Sequence, residues 1–420
     1  MSDILDFFRQ KKPEDVFTPR APMVNAAMYV ARPEYETELR KALRSRYNIV
    51  IFGDSGCGKS WLYKKVFEEQ RIEYETVDLS AVNSPDDADF ALLEIVDRYG
   101  DGWREAEKSA EAVKGAMPYD VGMKKTATTK FTRQEDPAFY QLCSMLRSRA
   151  KGRKALVVFE NLEHVVHNMD LVNSILSYLL ALDDRRFASL DIQICLVGVP
   201  SDIKNLLTEG NRFQTISNRV VEISEITRMS KEQAKLLIFQ GFRNQLSMDM
   251  ESAEYCASQI IYLTDRLPQY LHDVCLQVAF IAEEEGGIVK PSVVVRGAHN
   301  WVETNARQSR EFIEHLLGHG KKRTDFKSKL IFSVSKCETT MFYASDIEAI
   351  IRESFPKTYG SKKISVRAVL NKLSDGEQRL LRHDSLSGKF RIVSPKLRSV
   401  LRHCLVIDTE DETVQIRQQV

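Results

Sequence analysis

Short, mostly apolar runs alternate with longer amphipathic stretches through the first half of the chain. Asn48–Phe52 and Asp191–Val199 are apolar but for Asn48, Asp191 and Gln193, and Ala155–Phe159 is apolar throughout; Glu73–Ser80 alternates loosely, and Val220–Ser224 is short and β-branched. Between them, apolar residues recur at helical spacing over Glu34–Ser45, Ser60–Glu69, Ala88–Tyr99, Asp136–Arg149, Leu171–Leu182 and Asp202–Leu207. A strand with no polar face must be covered on both sides. The pattern therefore predicts an α/β core with a parallel five-stranded sheet and helices on both faces.

After Ser224 the strand pattern stops. Residues 230–246, 252–264, 268–285 and 291–316 read as amphipathic helices; Pro268 sits where a helix begins and Gly286-Gly287 where one ends. A third unit follows. Helical stretches at Phe326–Ser335, Ala344–Ser354 and Ser365–His383 precede a β-like pair that brackets Ser387-Gly388 and ends in Lys389–Val393, and a last helix spans Pro395–Leu405. Three helices and then a hairpin is the order of a winged helix. The expected division is an irregular leader (1–25), a nucleotide-binding domain (26–228) with a polar mobile insertion at 100–135, a helical lid (229–318), a basic winged-helix domain (319–405) and an acidic tail (406–420).

Composition narrows the setting. Of 420 residues 43% are apolar and 28% charged, the balance of an ordinary globular protein. No apolar run is long enough to span a membrane, and Met1–Asp6 carries acids where a signal peptide would be basic, so a cytoplasmic location is expected. The seven cysteines are scattered with no C-x-x-C, which argues for reduced thiols rather than a disulfide or zinc framework. Net charge is +1, but it is unevenly spread: residues 321–404 carry 19 Lys and Arg against 8 Asp and Glu, a footprint for a polyanion.

The chemistry lies at Gly53-Asp54-Ser55-Gly56-Cys57-Gly58-Lys59-Ser60, which fits G-x-x-x-x-G-K-[ST] after an apolar strand and before a helix. Glycines allow the tight loop, and backbone N–H groups can then face a phosphate at a helix N-terminus. Lys59 is expected on the β- and γ-phosphates of ATP, Ser60 on Mg²⁺, and Trp61 beside the loop in the first helical turn. Cys57 reads as a spacer whose thiol, at a helix N-terminus, is a candidate for reactivity. A second group facing the metal is expected at the end of another strand, where Phe159-Glu160-Asn161 offers Glu160.

These motifs resemble those of AAA+ ATPases of the replication-initiator (origin-recognition) branch and of the related STAND and transposition-targeting ATPases. The resemblance runs over roughly 25–404. Met28–Glu36 is similar to the box that packs near adenine and implies Arg32 as a nucleotide contact. Val197–Ser201 is similar to the sensor 1 region, Asn218–Ile223 to the segment carrying an arginine finger (here Arg219), and Thr264–Leu271 to the sensor 2 helix (here Gln269). Lys389–Arg398 looks like the wing and final helix of a winged-helix domain. The branch's usual Asp-Glu pair reads Glu160-Asn161, so the position that activates water is an amide, and Glu163 is the next carboxylate along. With Gln269 in place of the usual Arg, this implies slow hydrolysis or ATP used as a conformational switch. A finger acting in trans implies an ATP-dependent homo-oligomer.

In the basic unit, Val366, Val369, Leu370 and Leu373 share one helical face, leaving Arg367 and Lys372 on others, while Lys362, Lys363, Lys389 and Arg391 can reach phosphates. Two readings stay open: an ATP-binding switch that holds double-stranded DNA through this unit, or a STAND-like signalling or defence ATPase whose winged helix contacts a partner effector protein. A metabolic P-loop kinase fits less well, having no use for the lid or the winged helix.

Overall fold

The computed structural model describes residues 11–99, 136–198, 217–318, 322–361, 365–376 and 378–417. The expected insertion at 100–135, the helix at Asp202–Leu207, the end of the sensor 1 segment at Ser201, and Lys362 and Lys363 fall outside them. The chain forms two compact units, one of residues 31–227 and one that joins 1–30 to 228–420.

The first unit is built on five parallel strands, β1 (Asn48–Phe52), β2 (Glu73–Asp78), β3 (Ala155–Glu160), β4 (Ile192–Gly198) and β5 (Val220–Glu222), in the order β2-β3-β4-β1-β5. The three mostly apolar runs are β1, β3 and β4, which fill the centre of the sheet. Ile49, Val50, Ile51, Leu156, Val157, Val158, Ile194, Cys195 and Leu196 are all buried. Helices Pro33–Arg44, Lys59–Glu69, Pro85–Asp97, Ala138–Ala150 and Met169–Ala181 cover it, close to the predicted spans. The register aligns Phe159 with Leu196 and Asp78 with Glu160, so the carboxyl ends of β2, β3 and β4 lie level along one edge. In an open parallel sheet that edge is where ligands bind.

The second unit is mainly helical. Lys231–Phe239, Ala253–Leu263 and Pro268–Glu284 match the expected helices, but the stretch at 291–316 divides at Ala306 into Pro291–Asn305 and Arg307–Leu317. The leader is not irregular throughout. Pro13–Val16 is a helical turn, Phe17 is fully buried against Phe242 (ring centroids 4.9 Å apart), and the Thr18 amide donates to His272 Nδ1 at 3.1 Å. Phe17 fits because position 241, inside a π-helical segment at Gln240–Gln245, is glycine: a Cβ there would lie 2.3 Å from the Phe17 ring.

The C-terminal part has helices Phe326–Lys336, Ala344–Ser354 and Val366–Ser374, then an antiparallel pair, Leu381–His383 and Phe390–Ile392, and a last helix, Pro395–Cys404. The helix expected over Ser365–His383 stops at Ser374, because Gly376 (φ 82°) breaks it and Leu381 joins the hairpin. The expected acidic tail is also corrected: strands Leu405–Asp408 and Thr413–Ile416 form a hairpin that pairs with the strand Lys322–Arg323. Its Glu412 is buried, accepting from the backbone amides of Lys357 and Thr358 at 2.7 and 2.9 Å and lying 3.9 Å from the buried Lys329 Nζ. Glu412 is thus tied into its own unit instead of trailing from it.

Candidate functional site

β1 ends in the loop Gly53–Ser60, which turns into the Lys59–Glu69 helix. Gly56 (φ 81°) and Gly58 (φ 93°) take left-handed conformations that a side chain would resist. Gly53 answers a different need: a Cβ on it would lie 2.3 Å from the Ile226 carbonyl oxygen and 2.8 Å from Cys57 Sγ. Cys57 is buried beneath the loop, and burial pushes its thiol above the usual cysteine range, so the expected reactivity is not supported. Ser55 is exposed, whereas Asp54 and Trp61 are partly buried.

Two side chains define the working edge. The Lys59 ammonium spans the loop and donates to the carbonyls of Gly53 (2.8 Å) and Asp54 (3.1 Å). The Ser60 hydroxyl donates to Glu160 Oε1 at 2.6 Å, joining the loop after β1 to the end of β3. A hydroxyl and a carboxylate a hydrogen bond apart, both oxygen donors, make a set suited to a hard divalent cation. The loop amides and Lys59 offer the positive counterpart to a phosphate.

Asn161 follows Glu160 and bonds across to the neighbouring strand. It adopts a left-handed backbone (φ 61°), and its Nδ2 donates to Asp78 Oδ1, at the end of β2, at 2.7 Å. The Ser80 amide donates to the same oxygen at 2.9 Å. Burial works to raise the Asp78 pKa, but the bonds from Asn161 and Ser80 outweigh it and hold the carboxyl below its ordinary range. Glu163 lies in the next turn with Oε2 buried and without a hydrogen-bond partner among the described residues.

Arg32 is buried; its guanidinium donates to the Cys57 carbonyl at 2.8 Å and to the Thr227 carbonyl, and stacks 4.7 Å from the Tyr35 ring centroid. These contacts brace the loop at Cys57. Arg219, just before the edge strand β5, pairs through Nε with Asp183 at 2.5 Å. Gln269 is half-buried in the first turn of the Pro268–Glu284 helix, in the other unit.

In the basic region, Arg367 and Lys372 are exposed on a helix whose Val366, Leu370 and Leu373 are buried. On the hairpin, Arg391 lies opposite Arg382 in register, and Lys389 Nζ sits 5.1 Å over the Tyr343 ring. Not all the basic charge faces outward. Arg398 and Arg402 are buried and converge on Asp265, with Arg402 Nη1 2.8 Å from Oδ1 and Arg398 Nη1 3.7 Å from Oδ2; Arg228 Nη1 lies 2.7 Å from Oδ2 as well. Burial pulls the Arg398 pKa down to about 10, with Asp265 opposing. Sequence reading missed this cluster and Asp78. A lone acid after a strand and Arg residues in an amphipathic helix give no local signal of their partners.

Residues 41–207 match the family model described as "AAA domain". No curated protein matches the chain. Among solved structures, the Walker-type ATPase of Pyrococcus abyssi shares the fold at TM-score 0.55 and 15% identity, over 92% of this chain and 99% of that one. The ORC2 protein of Aeropyrum pernix, solved in ADPNP–ADP complexes, shares it at TM-score 0.51 and 13% identity, over 93% and 96%. With its P-loop and its sheet order, the segment 41–207 carries the features of the AAA domain whose model it matches, in a chain whose fold is similar to those of the P. abyssi ATPase and the A. pernix ORC2 protein.

Proposed function

We propose that this protein binds ATP with Mg²⁺ at Gly53–Ser60 and uses it as a slow hydrolase and nucleotide-controlled assembly switch. The observation that carries this reading is the 2.6 Å bond from the Ser60 hydroxyl to Glu160, which brings a P-loop hydroxyl and a strand-end carboxylate to one point. Ser60 and Glu160 would hold Mg²⁺, which when bound draws negative charge from the phosphate oxygens. Lys59 would leave the Gly53 and Asp54 carbonyls for the phosphates, and the loop amides would bind them from below. Arg32 keeps the loop in shape by fixing the Cys57 carbonyl. The ADPNP–ADP complexes of the A. pernix ORC2 structure support nucleotide as the ligand. Arg219 would serve as a finger toward a neighbouring copy, released from a partly exposed ion pair with Asp183 that is itself worth little.

The output in this reading is DNA, with residues 229–318 acting as the lid and 319–405 as a winged helix. Support comes from the exposed Arg367 and Lys372 on one helix and from the like-charged Arg382/Arg391 pair on the hairpin, an arrangement that favours an anionic partner. Fluorescence anisotropy with duplex DNA, with and without ATP and Mg²⁺, tests it. The expected result is salt-dependent binding that ATP strengthens, accompanied by a larger species in size measurement with an unhydrolysable ATP analogue. No binding at low salt in either state would rule the DNA reading out.

A further inference from the structure

We propose that Asp78, held by Asn161, supplies the carboxylate that orients the attacking water for ATP hydrolysis. This rests on the nucleotide reading above and deepens it. The position after Glu160 is an amide, which cannot take a proton from water. The structure nevertheless brings a carboxylate to that amide. Asp78 closes β2, its register partner on β3 is Glu160, and Asn161 Nδ2 reaches it at 2.7 Å. Neighbouring strands in a sheet lie about 4.8 Å apart, so this carboxylate stands one strand from the group bonded to Ser60, on the same edge.

The hold on Asp78 is directional. Asn161 and the Ser80 amide both donate to Oδ1, and the Ser80 side chain also bonds the carboxylate, which has about four acceptor sites over its two oxygens. Acceptor capacity remains on an exposed group at the sheet edge, which is what positioning a water requires. Asn161 is thereby a positioning residue, and its left-handed backbone serves to turn the amide toward β2.

In the step itself, the water oxygen bonds to the γ-phosphorus and the bond from that phosphorus to the β,γ-bridging oxygen breaks. Its electron pair stays on ADP. One water proton leaves through Asp78 to solvent and the other remains on the released phosphate. Glu163 is the rival carboxylate, but its Oε2 is buried and it lies within the turn.

The test compares wild type, Asp78→Asn, Glu163→Gln and the swap Asp78→Asn/Asn161→Asp in the full chain. Single-turnover phosphate release, affinity for a fluorescent ATP analogue and affinity for ADP with aluminium fluoride are read for each. Asp78→Asn is isosteric and is expected to lose on the order of 100-fold in turnover, the range of a lost general base, and to bind the fluoroaluminate complex correspondingly less well. Its ATP affinity should stay within about twofold of wild type, since only interactions made in the transition state are removed. Glu163→Gln should resemble wild type. The swap, which returns a carboxylate to the other end of the same bond, should recover most of the loss.

Hydrolysis by Asp78→Asn at the wild-type rate, or loss in Glu163→Gln instead, would overturn the assignment. So would a wild type that binds ATP without any turnover. A wild type that binds no ATP at all would overturn the nucleotide reading itself and this assignment with it.

Discussion

Glu160 and Asp265 are both carboxylates with basic or hydroxyl partners, but they sit in opposite surroundings. Glu160 ends a strand at the sheet edge, only partly buried, with the Ser60 hydroxyl at 2.6 Å. Asp265 is 2% exposed and faces Arg228, Arg398 and Arg402 in the interior of the second unit. Its backbone is left-handed (φ 53°), as is that of Arg266 (φ 62°), so the turn is itself held in an uncommon conformation. Arg402 also donates to the carbonyls of Ser335 (2.8 Å), Tyr262 (2.8 Å) and Cys337 (3.1 Å), tying the last helix to the Ala253–Leu263 helix and to the end of the Phe326–Lys336 helix. The lesson is that identical chemistry does different work according to burial. A half-open carboxylate can exchange its hydroxyl partner for a ligand. A buried one surrounded by three guanidinium groups cannot let go without leaving charge stranded.

The largest expected effect breaks the comparison at its structural side. Asp265→Ala removes the shared anion of two buried arginines and a partly buried one and should destabilise the second unit by about 3–5 kcal/mol, the usual cost of orphaning a buried ion pair. Glu160→Gln should leave stability within about 1 kcal/mol of wild type, because a hydrogen bond from Ser60 can persist. Denaturant unfolding of the two variants beside wild type reads both.

Acid should sharpen the contrast next. Burial holds His403 down to about 3 and His272 to about 4, against an ordinary value of 6.5. In the unfolded chain these imidazoles take protons near pH 6.5, before the folded ones do. Their contribution is therefore present above about pH 6.5 and is lost as pH falls toward 4. In the first unit, Asp78 behaves otherwise: its lowered carboxyl contributes above about pH 4 and loses that contribution only below it. Calorimetry between pH 7 and 4.5 should thus show the second unit weakening first, by a few kcal/mol.

The smallest effect concerns Arg219. Asp183→Ala breaks an ion pair whose partners are 32% and 55% exposed and should change stability by less than about 1 kcal/mol. If Arg219 serves a neighbouring copy, the same change should raise the concentration-dependent part of ATP turnover.

The contrast also explains what the sequence could tell. β1, β3 and β4 were legible because both their faces are buried, and the phosphate loop because all its parts lie within eight consecutive residues. Glu160 was legible from its place after an apolar strand. The Asp78–Asn161 bond was not, since it depends on the register between β2 and β3 across 83 positions. The fate of the basic residues was hidden for a related reason. Arg398 and Arg402 lie in the same kind of polar–apolar alternation as Arg367 and Lys372, yet the first two are buried on Asp265 and the others exposed. Phe17 gave no signal because its site is a missing side chain, at Gly241.

The central claim is that Gly53–Ser60 and Glu160 make an ATP·Mg²⁺ site, and calorimetric titration of ATP tests it most directly. Wild type should bind ATP more tightly with Mg²⁺ than without, Ser60→Ala should lose that difference, and Lys59→Ala should bind no ATP in either condition. ATP binding by Lys59→Ala at wild-type affinity, or wild-type binding indifferent to Mg²⁺, would contradict the account.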